Sequence, residues 1–391
     1  MNDLLNKSDP FDLQTSPPLS LYVHIPWCVR KCPYCDFNSH AAVGDIPMQA
    51  YVDALLADLE QDLPKIWGRT VTTVFIGGGT PSLFSVEAIG RLLEGIRARL
   101  NCKPGMEITM EANPGTLEIG RFAEFRDAGV NRLSIGVQSF NDEMLQRLGR
   151  IHGRAEAIQA AEQAHYAGFD SFNLDLMHGL PGQNSLQALD DLQTAIDLQP
   201  AHISWYQLTL EPNTAFYQHP PVLPVEDMVD AMQEQGRDRL AQYQYARYEV
   251  SAYAKEGYQC QHNLNYWRFG DYLGIGAGAH GKITDLATQT VARYWKQRHP
   301  QAYMEADPVY LAGNRVLDVP DVRLEYMMNA LRLTEGVSVA EFVRDTGLSV
   351  NDLRTYRQQA IDKGLLEVDE EVLRATSLGQ RFLDDLVAMF M

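Results

Sequence analysis

Short apolar runs alternate with longer amphipathic stretches from about residue 20 to residue 245. The runs are rich in β-branched and aromatic side chains and predict buried strands. Between them, apolar residues recur at the three- and four-residue intervals of a helix face. The six predicted strands are LYVHI (21–25), TVFIGG (73–78), EITMEAN (107–113), RLSIGVQ (132–138), FNLDLMHG (172–179) and HISWYQLTL (202–210). The clearest predicted helices are MQAYVDALLADLEQDL (48–63), VEAIGRLLEGIRARL (86–100) and HGRAEAIQAAEQAHYAG (152–168).

Six strand–helix units in series predict a parallel sheet, which is either an open doubly wound sheet or a barrel. Polar residues decide between them, because they fall at the carboxyl ends of several different strands. An open sheet would concentrate its site at one switch point, whereas a barrel draws one residue from each of several strands. The expected fold is therefore α/β, a curved and partial (β/α)6 TIM-like barrel. The residues at the carboxyl ends of the strands, on which this expectation rests, are Cys28, Gly77–Thr80, Glu111, Gln138 and Asp175.

The pattern changes twice along the rest of the chain. Residues 1–18 are polar and are predicted to form a flexible N-terminus, followed by the barrel over 19–245. Residues 246–319 are rich in aromatics and glycine and predict an irregular connecting segment with strands. Residues 320–391 return to helical patterns with a short strand-like stretch, which predicts a small helical, winged-helix-like domain.

Charge and composition narrow the possible partners. The chain has 33 basic and 51 acidic residues and a net charge of −18. Such a field disfavours nucleic acid and anionic membrane surfaces, and we expect no nucleic-acid partner even for the winged-helix-like domain. We see no apolar stretch of membrane-spanning length and no signal peptide. The protein is expected in the reducing cytoplasm, because its five cysteines are clustered rather than spread as in a disulfide framework.

Three of the five cysteines, Cys28, Cys32 and Cys35, lie in the sequence CVRKCPYC. Structural zinc would need a fourth ligand, for which His24, His40 or Asp36 are candidates. An iron–sulfur cube usually has four thiolate ligands, so three cysteines would leave one iron open to an outside ligand. The spacing alone leaves both interpretations open.

The stretch HIPWCVRKCPYCDF (24–37) strongly resembles the cluster loop of the radical S-adenosylmethionine (SAM) superfamily. The resemblance implies a 4Fe-4S cluster held by Cys28, Cys32 and Cys35. In that superfamily the open iron chelates the amino and carboxylate groups of SAM, and an electron from the cluster cleaves the sulfonium.

Further motifs suit SAM, which is a nucleoside with a charged amino-acid tail. The resemblance assigns Gly78, Gly79 and Thr80 of GGGTP to the SAM amino group, although the motif is also an ordinary strand-to-helix turn. Glu111 ends the third strand, where a buried carboxylate requires a cationic or donor partner. Gln138 ends the fourth strand.

Four more candidates have competing interpretations. Arg150 fits a carboxylate in bidentate fashion and would hold the SAM tail, but a surface ion pair is an equal alternative. Asp175 is positioned to accept hydrogen bonds from ribose hydroxyls. Tyr22 and Tyr34 would lie against SAM, where the sulfonium favours an aromatic neighbour, or they belong to the core.

From about residue 20 to residue 385 the chain resembles the oxygen-independent coproporphyrinogen III oxidase family, including its C-terminal HemN-type helical domain. Two departures separate it from the oxidases. The oxidases carry a further cysteine two positions after the third, where this chain has Phe37. They also carry a longer N-terminal arm. An oxidase, or another radical SAM enzyme of unknown substrate, remains the alternative interpretation.

The motif HNLNYW (262–267) points to heme. It matches the H-N-x-x-Y-W pattern of HemW-type heme chaperones, which also lack the fourth cysteine. Neutral imidazole is a natural axial ligand of heme iron, so His262 is the candidate ligand, with a core histidine as the alternative. Cys260 is an alternative thiolate ligand, whereas Cys32-Pro33 is discounted because the cluster should occupy Cys32.

The resemblance therefore implies a heme chaperone that binds a 4Fe-4S cluster, SAM and heme. It implies heme transfer to recipient heme proteins, including membrane-bound respiratory enzymes, and a homodimer is possible. We expect no coproporphyrinogen oxidase activity, and whether the chain is an enzyme at all stays open.

Overall fold

The computed structural model describes residues 11–115 and 120–391. The strands of the main sheet are β1 Leu19–Ile25, β4 Thr70–Gly78, β5 Asn101–Ala112, β6 Arg132–Gln138, β7 Ser171–His178, β8 His202–Gln207, β9 Ala246–Arg247, β10 Ala252–Ala254, β11 Asp271–Ile275, β12 His280–Asp285, β13 Thr290–Lys296 and β14 Leu311–Val316. Two short pairs lie outside it, formed by β2 Trp27–Cys28 with β3 His40–Ala41 and by β15 Val337–Ser338 with β16 Val372–Leu373.

The helices lie mainly between the strands of the barrel and in the last 75 residues. In the barrel they are Met48–Asp62, Val86–Arg99, Phe122–Asp127, Asp142–Arg147, Arg154–Tyr166, Ser185–Asp197, Ala215–Gln218 and Glu226–Gln242, with 3-10 turns Leu63–Ile66 and Pro81–Leu83. Further along the chain they are Gln261–Trp267, Pro300–Met304, Val319–Ala330, Val339–Thr346, Asn351–Asp362, Ser377–Arg381 and Leu383–Ala388.

The six predicted strands are present and lie side by side in chain order, β1-β4-β5-β6-β7-β8. Each neighbouring pair among them is parallel. A doubly wound sheet would reverse its order at a switch point, so this succession confirms the predicted partial (β/α)6 barrel. The strands are buried on both faces, as the apolar runs predict; six of the seven residues of β1 are buried.

Strands from residues 246–319 extend this sheet at both ends. At one end β11 adds a seventh parallel strand beside β1, followed by the antiparallel strands β12, β13 and β14. At the other end β10 and β9 add antiparallel strands beside β8. Within the described ranges, the two outermost strands β14 and β9 do not pair with each other, so the barrel stays open.

The stretch predicted as a small helical domain, 320–391, contains helices from Val319–Ala330 onward and the short β15–β16 pair. Its helices pack on a second hydrophobic core that is separate from the barrel core. Residues 1–10 of the predicted flexible N-terminus lie outside the described residues. Phe11 and Leu13 are buried in the second core, at 5% and 2% exposure. Within the described residues, no helix combines the length and apolar character needed to cross a membrane.

Candidate functional site

The cysteine loop follows β1 at the carboxyl end of the barrel. Its first part is fixed by the β2–β3 pair and by the Ala42 N–H, which donates to the Cys28 carbonyl at 2.9 Å. The Cys35 N–H donates to the Cys32 carbonyl at 3.2 Å, which turns the loop back on itself. All three thiols are partly buried, and burial raises the pKa of Cys28 and of Cys35.

Eleven of the thirteen sequence-predicted site residues line one cavity of about 460 Å³ at this end of the barrel. The cavity is reached by residues from β4, β5, β6, β7 and β8 as well as by the cysteine loop. The convergence follows from the parallel order of the strands, whose carboxyl ends meet at the same edge. The eleven residues are Cys28, Cys32, Cys35, Tyr34, Gly78, Gly79, Thr80, Glu111, Gln138, Arg150 and Asp175.

The glycine run packs tightly against the segment that leads into the cysteine loop. The Gly79 and Thr80 N–H groups donate to the carbonyls of Ile25 and Trp27, both at 2.7 Å. A Cβ on Gly79 would lie 2.5 Å from the Trp27 oxygen. Gly78 has a φ of +113°, a conformation that L side chains rarely adopt. Only glycine fits at these two positions.

Glu111 is an ionisable group on the cavity wall. Its Oε2 accepts a hydrogen bond from the Gly78 N–H at 2.9 Å. Burial raises its pKa from 4.5 to about 7; the Gly78 hydrogen bond opposes this shift and Asp175 adds to it. Glu111 is therefore about half ionised near pH 7, and a cation or further donors in the cavity would favour its anionic form.

Arg150 is partly buried between the cysteine loop and the barrel, and among the described residues it does not form the surface ion pair that was its alternative. Its Nη2 donates to Asn113 Oδ1 at 2.8 Å and to the Gly136 carbonyl at 2.7 Å, and its Nη1 lies 3.5 Å from Cys32 Sγ. Its Nε is buried without a partner among the described residues. A buried donor without an acceptor is what an anionic ligand such as a carboxylate would satisfy.

Gln138 and Asp175 present polar groups from β6 and β7. Gln138 is not glycine, yet has a φ of +69°, and its Oε1 accepts a hydrogen bond from the Tyr206 hydroxyl at 2.7 Å. The Asp175 carboxylate accepts hydrogen bonds from Ser134 Oγ at 2.9 Å and Asn173 Nδ2 at 2.8 Å. Burial raises the pKa of Asp175.

The two candidate tyrosines are in different places. Tyr34 lines the cavity from within the cysteine loop, with its ring 6.4 Å from that of Phe216. Tyr22 does not line it: its hydroxyl bonds His24 Nδ1 at 2.9 Å, and its ring stacks on Phe75 at 6.3 Å. Tyr22 belongs to the inward-facing wall of the barrel beside the site.

His262 lies apart from this cavity. It is 1% exposed on helix Gln261–Trp267, which begins where the Glu107 carboxylate accepts the N–H groups of Gln261 and His262, each at 3.0 Å. Its Nδ1 lies 2.9 Å from Thr73 Oγ1, and its Nε2 lies 3.0 Å from the Tyr266 hydroxyl. Burial lowers the pKa of His262 to about 3, and Arg132 adds to the shift, so the imidazole is neutral.

The structure adds residues that the sequence did not single out. Asn113 links Arg150 to Thr80, because its Nδ2 donates to Thr80 Oγ1 at 2.9 Å. Asn113 is the last residue of the predicted strand EITMEAN (107–113), so its position at a strand end was a signal that the sequence offered. Tyr206 and Ser204 also line the cavity from β8. Ser204 and Tyr206 are two positions apart on a strand, so their side chains share one face, and this spacing was the signal in the sequence.

Two families match different parts of the chain. Residues 22–195 match the radical SAM superfamily, and residues 317–382 match the HemN C-terminal domain. The first range contains all eleven sequence-predicted residues that line the cavity, and the second contains most of the helices of the C-terminal unit.

Relatives match over nearly the whole length. Heme chaperone HemW of Escherichia coli is 54% identical over 375 residues, covering 96% of this chain and 98% of the relative. Heme chaperone HemW of Haemophilus influenzae is 51% identical over 381 residues, with coverages of 96% and 98%. Heme chaperone HemW of Bacillus subtilis is 33% identical over 381 residues, with coverages of 95% and 99%.

A solved structure shows the same fold. Coproporphyrinogen III oxidase (HemN) from Escherichia coli, described as a radical SAM enzyme, superposes with a TM-score of 0.80 over 96% of this chain and 90% of that chain. The two are 24% identical, so this likeness concerns the fold alone. With the cysteine loop, the cavity and relatives of matching length, the chain belongs to the HemW-type heme chaperone family of the radical SAM superfamily.

Proposed function

We propose that this protein binds heme and transfers it to recipient heme proteins, and that it carries a SAM-bound 4Fe-4S cluster in the barrel. The observation that carries this proposal is the identity of 54% and 51% to two heme chaperones along 96% of the chain. Membership of the radical SAM superfamily implies the cluster and SAM.

The residues present fit a cluster with one open iron. Cys28, Cys32 and Cys35 face the same cavity as Glu111 and Arg150, so a ligand on the open iron would meet both an anion and a cation. Phe37, which replaces the further cysteine of the oxidases, is 56% exposed. When bound, the cluster supplies one electron at low potential to the SAM sulfonium.

The roles we propose for the cavity residues follow from their charges and hydrogen bonds. Glu111 and the Gly78–Thr80 loop receive the SAM amino group. The Arg150 Nε, which has no partner among the described residues, receives the SAM carboxylate. Asp175 accepts hydrogen bonds from the ribose hydroxyls, and Gln138 contacts the same ligand from β6. Tyr34 lies against SAM. Tyr22 does not contact SAM but holds the His24 ring in place through the hydrogen bond of its hydroxyl to Nδ1.

For heme we propose His262 as an axial ligand. Its imidazole is neutral, as an iron ligand requires, and the aromatic rings of Phe75 and Tyr266 lie 5.1 and 4.8 Å from it. Both of its ring nitrogens are hydrogen-bonded, so binding requires the Tyr266 hydroxyl to leave Nε2. A local opening of the short helix Gln261–Trp267 would allow this.

The finer proposals on partners rest on the family resemblance. Recipients include membrane-bound respiratory heme enzymes, and the chain meets them from the cytoplasm. A homodimer is part of the same proposal. The acidic net charge of −18 supports recipients that offer a basic or neutral docking surface.

Heme titration of anaerobically purified protein tests the binding step. Wild type is compared with His262→Ala and with His165→Ala, an exposed histidine that does not line the cavity at the carboxyl end of the barrel. We expect stoichiometric binding with a sharp Soret band for wild type and His165→Ala, and weakened binding for His262→Ala. Equal and weak binding by all three proteins would contradict the proposal and favour a radical SAM enzyme acting on another substrate.

A further inference from the structure

A row of buried polar side chains leads away from the ligand cavity behind Asp175. Asp175 lines the cavity of about 460 Å³, whereas Asn173, His202 and Tyr248 do not and are 2%, 1% and 5% exposed. Asn173 Nδ2 is 2.8 Å from Asp175 Oδ1, and Asn173 Oδ1 is 2.7 Å from His202 Nδ1. His202 Nε2 is 2.8 Å from the Tyr248 hydroxyl, which accepts the Cys260 N–H at 3.2 Å. Any effect of this row on a cavity ligand therefore passes through Asp175.

Asn173 uses every hydrogen-bonding position of its amide. Its Nδ2 donates to Asp175 Oδ1 and to Ser134 Oγ, both at 2.8 Å. Its Oδ1 lies 2.7 Å from His202 Nδ1 and accepts from Ser204 Oγ at 3.1 Å. A primary amide has two hydrogens and two lone pairs, so turning it over would place its oxygen against the Asp175 carboxylate. Asn173 is therefore held in one orientation.

The orientation of Asn173 sets the tautomer of His202. Because Asn173 Oδ1 only accepts hydrogen bonds, His202 Nδ1 carries the hydrogen between them. Burial lowers the pKa of His202 well below its usual value and Arg132 adds to the shift, so the ring is neutral and Nε2 has the lone pair. The Tyr248 hydroxyl then donates to Nε2. Each hydrogen bond of the row thus points toward Asp175.

The row leaves acceptor positions free on Asp175. Its Oδ1 accepts one hydrogen bond from Asn173, and its Oδ2 accepts one from Ser134 at 2.9 Å. A carboxylate has about four lone-pair positions, so one remains on each oxygen. Two neighbouring hydroxyl groups, such as those of a ribose, match such a pair of acceptors. The chemistry of this part of the cavity wall therefore suits a vicinal diol.

We propose that Asn173 and His202 are positioning residues for the ribose of SAM, an inference that rests on the proposed SAM binding in this cavity. Asn173 fixes the plane of the Asp175 carboxylate, and His202 fixes Asn173. The free acceptor position of each carboxylate oxygen is thereby held for one of two neighbouring hydroxyls. Neither positioning residue contacts SAM; both hold Asp175 in its binding geometry before the ligand arrives.

Equilibrium SAM binding to cluster-loaded protein tests the role of His202. His202→Leu removes the donor to Asn173, whereas His202→Asn keeps an N–H close to the position of Nδ1. We expect His202→Leu to bind SAM on the order of 3- to 10-fold more weakly than wild type, the worth of one neutral hydrogen bond, and His202→Asn to bind within about twofold of wild type. His178→Leu is the matched control and should bind as wild type does, because His178 is also buried, at 2%, and does not line the cavity.

A 2′-deoxy analogue of SAM separates positioning from a general loss of binding. Wild type should bind the analogue on the order of 3- to 10-fold more weakly than SAM, because one of the two hydroxyls is missing. In His202→Leu the carboxylate is no longer held for both hydroxyls, so the affinities for the two ligands should become nearly equal. The same preference for SAM in both proteins would overturn the positioning role, even where His202→Leu binds both ligands weakly.

A third test needs no ligand and holds even if His202→Leu does not fold. Nitrogen-15 NMR of the histidine side chains in cluster-loaded wild type reports which ring nitrogen of His202 carries the hydrogen, and the signal of His202 is the one absent from His202→Asn. We expect the Nδ1–H form. The Nε2–H form would mean that Asn173 turns its oxygen toward Asp175, and it would overturn the inference.

The outcomes separate this inference from the function on which it rests. Wild-type affinity for SAM in His202→Leu would overturn the role of His202 and leave the SAM site standing. Absence of SAM binding by cluster-loaded wild type would remove the proposed SAM site itself, and the inference with it.

Discussion

Glu111 gives the site a pH dependence near neutrality. Because burial raises its pKa to about 7, the carboxyl is largely protonated at pH 6 and largely ionised at pH 8. A ligand amino group binds the ionised form, so we predict that SAM affinity of cluster-loaded protein rises by roughly tenfold between these pH values. Equilibrium SAM binding measures this, and Glu111→Gln should bind more weakly with a flat profile. A wild-type affinity that falls with pH would contradict the assignment.

The raised pKa of Glu111 makes folding stability fall with rising pH, whereas SAM affinity rises. A carboxyl with a raised pKa binds more protons in the folded than in the unfolded chain, between its unfolded value of 4.5 and about 7. The contribution of Glu111 to the free energy of unfolding therefore falls as the pH rises through that window. Ligand affinity and folding stability thus respond to pH in opposite directions.

Gly78 is a residue whose replacement should destabilise the fold for steric reasons. A methyl group there would lie 2.5 Å from the His24 ring, which is fixed by hydrogen bonds to Tyr22 and to the Asn38 carbonyl. We predict that Gly78→Ala lowers the free energy of unfolding by about 2–4 kcal/mol. Gly44→Ala is the control: it shares a positive φ of +71° but has open space, so it should cost about 1 kcal/mol. Denaturant unfolding compares the two, and equal losses would contradict the steric argument.

Most cavity residues could be predicted because each stands at the carboxyl end of a predicted strand. Glu111, Gln138 and Asp175 are such residues, and parallel order alone brings them together. The environment of His262 could not be predicted in this way. Its two hydrogen bonds depend on how a short helix seats against Thr73, which is 189 residues away in the sequence. No local pattern encodes that contact.

At the scale of elements, helix Gln261–Trp267 depends on a distant carboxylate. Glu107 on β5 accepts the N–H groups of the first two helical residues, and Cys260 Sγ lies 3.5 Å from it. Seven residues form too short a helix to be stable alone, so this contact and packing hold it in place.

We predict that Glu107→Gln lowers the free energy of unfolding by about 1–2 kcal/mol, because the amide keeps one acceptor and loses the charge. Amide hydrogen exchange should also quicken within the helix. Glu256→Gln, an exposed change in the same segment, is the control. Equal exchange in both variants would show that the helix does not need the Glu107 carboxylate.

The elements predicted best are those with a repeated pattern. The six parallel strands follow from apolar runs of the right length. The segment 246–319 has no such repeat, so its sequence predicted only strands within irregular structure. The structure pairs β11 in parallel with β1, where Val23 lies opposite Ile275, 252 residues away in the sequence. This non-local pairing has no signature in the local pattern.

At the scale of the whole molecule, the first described residues are hydrogen-bonded to distant parts of the chain. The Asp12 N–H donates to the Gly347 carbonyl at 2.8 Å, and the Leu13 N–H donates to Gln289 Oε1 at 2.7 Å. The polar composition of residues 1–18 predicts flexibility and conceals these contacts, because two apolar residues among many polar ones carry the packing.

We predict that Phe11→Ala and Leu13→Ala each lower the free energy of unfolding by about 2–5 kcal/mol. Thr15→Ala, at an exposed position in the same stretch, should change it by less than about 0.5 kcal/mol. Chemical denaturation of the full chain measures all three. If the two core variants matched Thr15→Ala, residues 11–18 would be flexible as the composition predicts.

The central claim is transfer of heme, and the most direct measurement follows heme as it leaves the protein. Cluster-loaded protein carrying one heme is mixed anaerobically with SAM and the apo form of a b-type heme protein, and the Soret band of the recipient is recorded. We predict that heme moves to the recipient, that His262→Ala delivers none, and that coproporphyrinogen is not consumed. Retention of heme by the donor, together with SAM-dependent conversion of coproporphyrinogen, would contradict the account.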